Sequence, residues 1–267
     1  MTLPPEVQRR LELARRLAHQ AGQVTLRYFR AGDLHVEQKD DASPVTAADR
    51  EAEQLLRQQI ALAFPEDAIC GEEFGAQEGS SPFTWVLDPI DGTKSFIHGV
   101  PLYGTLIGLL HQQRPAAGVI HVPALEETVW GTPEAGSWYS RPGSEPQPCR
   151  LRRCEQLDQA TLLTSEVEGF VATGTFDALE RLASATRITR TWGDCYGYLL
   201  LATGRADVML DPRMHLWDAV AVMAVIQGAG GRFTDWHGRA CADGGNGLAT
   251  SAALLPAVLQ RLQSRQG

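Results

Sequence analysis

Trp85-Val86-Leu87-Asp88-Pro89-Ile90-Asp91-Gly92-Thr93-Lys94-Ser95-Phe96 is an apolar strand run that ends abruptly in two carboxylates separated by Pro-Ile and followed by Gly-Thr. Carboxylate oxygens are hard ligands suited to Mg²⁺; a strand end holds them rigidly, and Pro89 fixes the turn between them. The Gly92 backbone can then approach an anion closely. An ordinary Asp/Pro/Gly turn after a strand has the same composition, and other segments of the chain decide between the two.

Three segments bear on it. Gly71-Glu72-Glu73 follows Asp67-Ala68-Ile69-Cys70, a short strand bounded by Pro65 and Gly71; paired glutamates at a strand end repel unless something positive sits between them. Trp217-Asp218 opens the stretch Ala219-Val220-Ala221-Val222-Met223-Ala224-Val225-Ile226, which closes at Gly228, Gly230 and Gly231. That is a buried helix with an acidic start, where Asp218 is either a ligand or an ordinary N-cap. Ser43-Pro44-Val45-Thr46-Ala47-Ala48-Asp49 leads into a helix with apolar Ala52, Leu55, Leu56, Ile60 and Ala63, and Thr46 with Asp49 could form a capping box.

In their order and spacing, from Lys39 to Gly231, these segments resemble the inositol monophosphatase family of Mg²⁺-dependent phosphomonoesterases: Pro-Val-Thr-x-x-Asp at a helix start, then Gly-Glu-Glu, Asp-Pro-Ile-Asp-Gly-Thr, and Trp-Asp before a helix closing in Ala-Gly-Gly. Within that family, Thr93-Lys94-Ser95-Phe96-Ile97, Trp192-Gly193-Asp194-Cys195-Tyr196-Gly197-Tyr198 and Asp211-Pro212 are similar to the histidinol-phosphatase branch. The resemblance implies a layered α-β-α-β-α sandwich of the inositol monophosphatase and fructose-1,6-bisphosphatase type, with all four motifs around one cleft. It also implies lithium sensitivity and a homodimer.

The same resemblance implies roles for individual residues. Glu72, Asp88 and the Ile90 carbonyl would bind one Mg²⁺, and Asp88, Asp91 and Asp218 a second, with Asp88 bridging; relatives hold two or three ions, and Lys39 sits on the loop completing the third-ion region. Thr93 with Asp49 as proton acceptor would orient and deprotonate the attacking water, with Glu73 supporting the ligands from behind. Backbone N–H groups of Gly92 and Thr93 would cradle the phosphate. Asp194 and Asp211, together with Asp218, match substrate-contacting positions, and Arg190 would orient that wall by pairing with an acidic neighbour. A histidinol phosphate tail carries an ammonium and an imidazole, so acidic side chains there would distinguish it from a neutral polyol. Outside the resemblance, Asp194 reads as a helix N-cap and Asp211 as a strand-end turn before Pro212.

Composition narrows the classes. A chain of 267 residues can bury a substantial core, and its net charge of −8 argues against a general nucleic-acid or anionic-membrane binder. Five cysteines without a Cys-x-x-Cys read as reduced thiols of a cytoplasmic protein. No basic-then-apolar leader and no membrane-length apolar run is visible. The seven histidines lack metal-ligand spacing, and His215, beside Trp217, suits packing or capping.

Val7, Leu11, Ala14, Ala18 and Ala21 share one helical face and predict a helix over 5–29. Strands are expected at 102–110, 117–121 and 128–130 in an antiparallel sheet, separated by turns such as Gln113-Arg114-Pro115. The breaker-rich Arg141–Pro148 segment is the candidate boundary between an N-terminal half, 1–140, and a C-terminal half, 149–267. Beyond it, strands at 160–164 and 206–210 alternate with helices near 177–184, 196–203, from Asp218 and from Pro256, which gives α/β class from pattern alone. Two classes of function remain: a Mg²⁺ phosphatase, or a catalytically silent metal or phosphate binder. For the phosphatase, histidinol phosphate, as in histidine biosynthesis, is the first substrate, and inositol 1-phosphate or another small phosphomonoester the second.

Overall fold

The computed structural model describes residues 3–32, 36–38 and 44–263, so Lys39 lies outside the described residues. Helix Pro5–Tyr28 starts with proline where its missing N–H costs nothing, and buries the stripe of Val7, Leu11, Ala14, Ala18 and Ala21. It packs with helix Ala47–Ala63 on one face of an eight-stranded sheet. In spatial order the strands are Gln147–Pro148, Gly136–Ser140, Glu127–Thr132, Arg114–Val122, Gly104–His111, Phe83–Asp91, Ala68–Gly71 and Gly75–Gln77. All neighbours are antiparallel except Ala68–Gly71 against Phe83–Asp91.

The Phe83–Asp91 strand is buried over most of its length because both faces of this sheet are covered. On a regular strand Asp88 and Asp91, three residues apart, would face opposite sides. Instead, the register shifts between them: Asp88 lies opposite Leu106 and Asp91 opposite Gly104. Pro89 has no N–H to give the ladder, and Thr105 Oγ1 donates to its carbonyl at 2.9 Å. The irregularity turns both carboxylates into one site.

Helix Leu216–Gly228 is buried all round from Ala219 to Ile226, as expected of a helix covered on both sides. With helix Cys195–Ala202 it fills the layer between the first sheet and a second one. Cross-strand partners Gly108 and Gly118 let it approach: a Cβ at Gly118 would sit 2.2 Å from the Ala221 carbonyl oxygen, and one at Gly108 2.6 Å from Val220. The second sheet runs Ile188–Arg190, Thr161–Leu163, Val208–Asp211, Gly247–Thr250, Arg232–Thr234; the first three strands are parallel and the last two join antiparallel. Helices Phe176–Ala185 and Leu255–Gln263 cover its outer face through Leu179, Leu182 and Val258. The order is helix, sheet, helix, sheet, helix, the expected sandwich.

Differences from expectation are local. The hairpin before the 114–122 strand turns on Gln112 and Gln113, both at positive φ, and Arg114 and Pro115 already belong to the strand. Part of the breaker-rich 141–148 stretch, Gln147–Pro148, pairs with Tyr139 and Trp138 and extends the first sheet. Among the described residues no helix is long and apolar enough to cross a membrane.

Candidate active site

Asp88, Asp91 and Asp218 come from the end of a first-sheet strand and the start of the inter-sheet helix, and their carboxylate oxygens all lie within 4.8 Å of one another. Each is oriented by a backbone N–H. Ile90 donates to Asp88 Oδ1 at 3.0 Å, Cys195 donates to Asp91 Oδ2, and His215 donates to Asp218 Oδ2 at 2.7 Å. Asp218 is therefore the third residue of its helix, reaching back to the cap position held by His215, whose ring stacks on Trp217 at 4.8 Å.

Converging carboxylates in a buried place disfavour their own ionised forms. Burial, then the charges of Glu72, Asp91 and Asp218, raise Asp88 well above the usual carboxylate range. Burial, then Asp194 and Asp218, do the same to Asp91. Asp218 is pushed up to about 7, chiefly by burial. Such a set is relieved by a cation, and hard oxygen donors at this spacing fit a divalent ion such as Mg²⁺. Glu72 lines the same cleft, at the head of the turn after the Ala68–Gly71 strand.

The Ile90 carbonyl accepts the Thr93 hydroxyl at 3.1 Å, and Asp49 Oδ2 accepts both the hydroxyl of Thr46 at 2.6 Å and its N–H at 2.8 Å. Thr46 with Asp49 forms the capping box that the sequence offered at the start of this helix. Asp49 is nonetheless raised to about 6, by burial first, with Glu72 adding to it against the two Thr46 bonds.

Gly92, at φ 85°, makes the left-handed turn into the short helix Thr93–Ile97, and a Cβ there would meet Asp194 Oδ2 at 2.8 Å. Asp194 itself stands at φ 51°, ψ −154°, a strained conformation for a residue with a side chain. It occupies the cap position of helix Cys195–Ala202 without a side-chain capping bond, so its carboxylate faces the cleft, 3.5 Å from Ser95 Oγ. Burial and the charges of Asp211 and Glu166 raise it to about 7. Asp211 is differently employed: Oδ1 accepts the Ser165 N–H at 3.2 Å and hydroxyl at 2.7 Å, and Oδ2 accepts the Tyr198 hydroxyl at 2.7 Å.

Glu72, Asp91, Gly92, Thr93, Asp194, Asp211 and Asp218 line a cleft of about 420 Å³; Asp88 and Asp49, both buried, are not among its lining residues. Arg190 is not among its walls: it is exposed and donates to the neighbouring Thr189 carbonyl, and among the described residues it pairs with no carboxylate. Glu73 does not line the cleft either; its N–H donates to Glu53. Sequence reasoning missed Glu166, which pairs with Lys94 across the cleft and lies 3.6 Å from Arg213, and Ser165, which ties Asp211 to the Asp194 N–H. A signal existed. Strands Thr161–Leu163 and Val208–Asp211 are parallel neighbours, and residues just past the carboxyl ends of such strands form ligand sites.

Comparison with known proteins places the chain in a family. Residues 6–266 match the family model described as the Inositol monophosphatase family. The chain is 41% identical over 241 residues to a histidinol-phosphatase of Chlorobaculum parvum, covering 90% of this chain and 91% of that one. It is 37% identical to a histidinol-phosphatase of Mycobacterium tuberculosis, covering 95% and 98% respectively. Its fold is similar to that of an inositol monophosphatase from Zymomonas mobilis, with a TM-score of 0.84, 32% identity, and coverage of 96% of this chain and 98% of that one.

Proposed function

We propose, on the premise that this chain belongs to the inositol monophosphatase family, that it hydrolyses L-histidinol phosphate to L-histidinol and phosphate with two or three Mg²⁺ ions. The class of the reaction follows from the family: the chain is a phosphoric monoester hydrolase. The observation that carries the finer reading is the convergence of Asp88, Asp91 and Asp218 within 4.8 Å, the last two lining a cleft whose walls also hold the carboxylates of Glu72, Glu166, Asp194 and Asp211.

A phosphomonoester dianion would be repelled by such a wall. Bound Mg²⁺ supplies the positive charge that neutralises the phosphoryl oxygens and lowers the pKa of water. Asp88, Asp91 and Asp218 would hold it, with Glu72 and the Ile90 carbonyl completing the set. The Gly92 and Thr93 backbone would receive the phosphate. Asp49, poised at about 6, is suited to take a proton near neutral pH. Asp194 is the carboxylate left to meet the ammonium or imidazole of the leaving alcohol, since both oxygens of Asp211 are already engaged.

The similarity to the Zymomonas inositol monophosphatase supports a second reading, inositol 1-phosphate. Phosphate release with Mg²⁺ from histidinol phosphate, inositol 1-phosphate and glycerol 2-phosphate separates them. The highest kcat/KM should fall on histidinol phosphate; preference for inositol 1-phosphate would replace the first reading.

A further inference from the structure

Helix Ala47–Ala63 carries Asp49 at its start and, one turn on, Glu53, whose side chain is fully buried. A buried carboxylate is tolerated only when it is paired and hydrogen-bonded. The partners of Glu53 gather at one place, the turn that carries Glu72. Its Oε2 accepts the Glu73 N–H at 2.7 Å, and its Oε1 accepts the Phe74 N–H at 3.2 Å and Arg57 Nε at 2.7 Å. Arg57 also donates to the Gly75 carbonyl, at the far end of the same turn. On the opposite side, the Glu72 N–H donates to the carbonyl of Leu87, the residue before Asp88, at 3.2 Å. Gly71 makes room for this arrangement: a Cβ there would lie 2.1 Å from Glu53 Oε1.

Glu72 shares its cleft with Asp91 and Asp218, carboxylates of the same sign. A loosely held turn would let it swing toward solvent. We propose that Glu53, backed by Arg57, is a positioning residue that clasps the Glu72–Phe74 turn and so sets the Mg²⁺ affinity of the site. The inference rests on Glu72 being a Mg²⁺ ligand. It makes helix Ala47–Ala63 the common support of Asp49 and Glu72, so that both are placed by one rigid element.

The test compares wild type, Glu53→Gln and Arg57→Met. In Glu53→Gln the amide NH₂ must face an N–H or the guanidinium, so one clasp contact is lost while the shape is kept. Mg²⁺ affinity is read by calorimetric titration of the metal-free protein and by the Mg²⁺ dependence of phosphate release, with melting in EDTA as the control for folding. The dissociation constant for Mg²⁺ should rise about 10- to 100-fold in Glu53→Gln, as is typical when groups supporting metal ligands are lost. The catalytic rate at saturating Mg²⁺ should fall less than the affinity does. Arg57→Met, at the solvent edge, should move the affinity the same way by less, and it carries the test if Glu53→Gln does not fold. A lower melting temperature with wild-type Mg²⁺ affinity in the folded variants would make the clasp merely structural and overturn the inference. Weakened binding in Asp88→Asn but not in the clasp variants would overturn it alone; a wild type that takes up no Mg²⁺ would overturn the metal reading with it.

Discussion

Asp88, on a strand of the first sheet, and Asp218, on the helix between the sheets, hold carboxylate oxygens within 4.8 Å of each other. The two are far apart in sequence, and their approach depends on the glycine pair that lets the helix lie against the sheet. Two such groups without a cation are a source of instability, and that has a pH signature.

In the metal-free protein Asp218 and Asp194 are pushed to about 7, whereas an unfolded aspartate titrates near ~3.9. Between those values the folded state keeps protons that the unfolded state has released, so these groups lower stability as pH rises from about 4 to about 7, and no further above that. Mg²⁺ competes with the same protons. The increase in melting temperature from EDTA to Mg²⁺ should therefore grow between pH 5 and pH 8; an increase that is flat or shrinks with pH would contradict the assignment.

Asp194 and Asp211 should separate by substrate. Asp194→Asn is expected to lower kcat/KM on histidinol phosphate selectively, because a charge-assisted hydrogen bond is worth roughly 1.5–3 kcal/mol, or about one to two powers of ten. Asp211→Asn replaces an acceptor already holding Ser165 and Tyr198, and should harm all substrates alike and reduce stability. Kinetics of both variants on histidinol phosphate and inositol 1-phosphate check this; equal loss in Asp194→Asn would remove it from substrate recognition.

Asp49 has two employments that one variant can split. Asn can still accept the Thr46 N–H, so Asp49→Asn should retain the capping geometry and melt close to wild type. Loss of a proton acceptor should nevertheless lower kcat by about 10²-fold or more. A rate unchanged from wild type would leave Asp49 only its capping role.

Gly92→Ala tests the turn that brings the first-sheet strand into the cleft. At φ 85° a Cβ is strained by roughly 1–2 kcal/mol, and it would strike Asp194 at 2.8 Å. Both stability and turnover should fall. A variant with wild-type melting and rate would show that the turn relaxes without consequence.

Much of this was legible in the sequence because it rests on strong local signals. The apolar run into Asp88-Pro-Ile-Asp91, the Trp217-Asp218 helix start and the long amphipathic opening helix each stand where their patterns put them. What was not legible depended on tertiary contacts. Strands such as Ile188–Arg190 and Arg232–Thr234 span three residues and take their conformation from neighbours in the sheet. Glu166 and Ser165 lie in no motif, and reach the cleft because two parallel strands end side by side. The bonding of Asp211, which occupies a carboxylate that looked free for substrate, depends on a tyrosine and a serine from two other segments.

The most direct measurement is phosphate release from histidinol phosphate by wild type and Asp88→Asn, each in Mg²⁺ and in EDTA. Wild type should turn over only with Mg²⁺, and Asp88→Asn, folded but lacking the charge that Glu72, Asp91 and Asp218 surround, should lose at least about 10²-fold in rate at any Mg²⁺ concentration. Undiminished hydrolysis in EDTA, or an Asp88→Asn variant as fast as wild type, would contradict the assignment of this carboxylate cluster as the metal centre of a phosphomonoesterase.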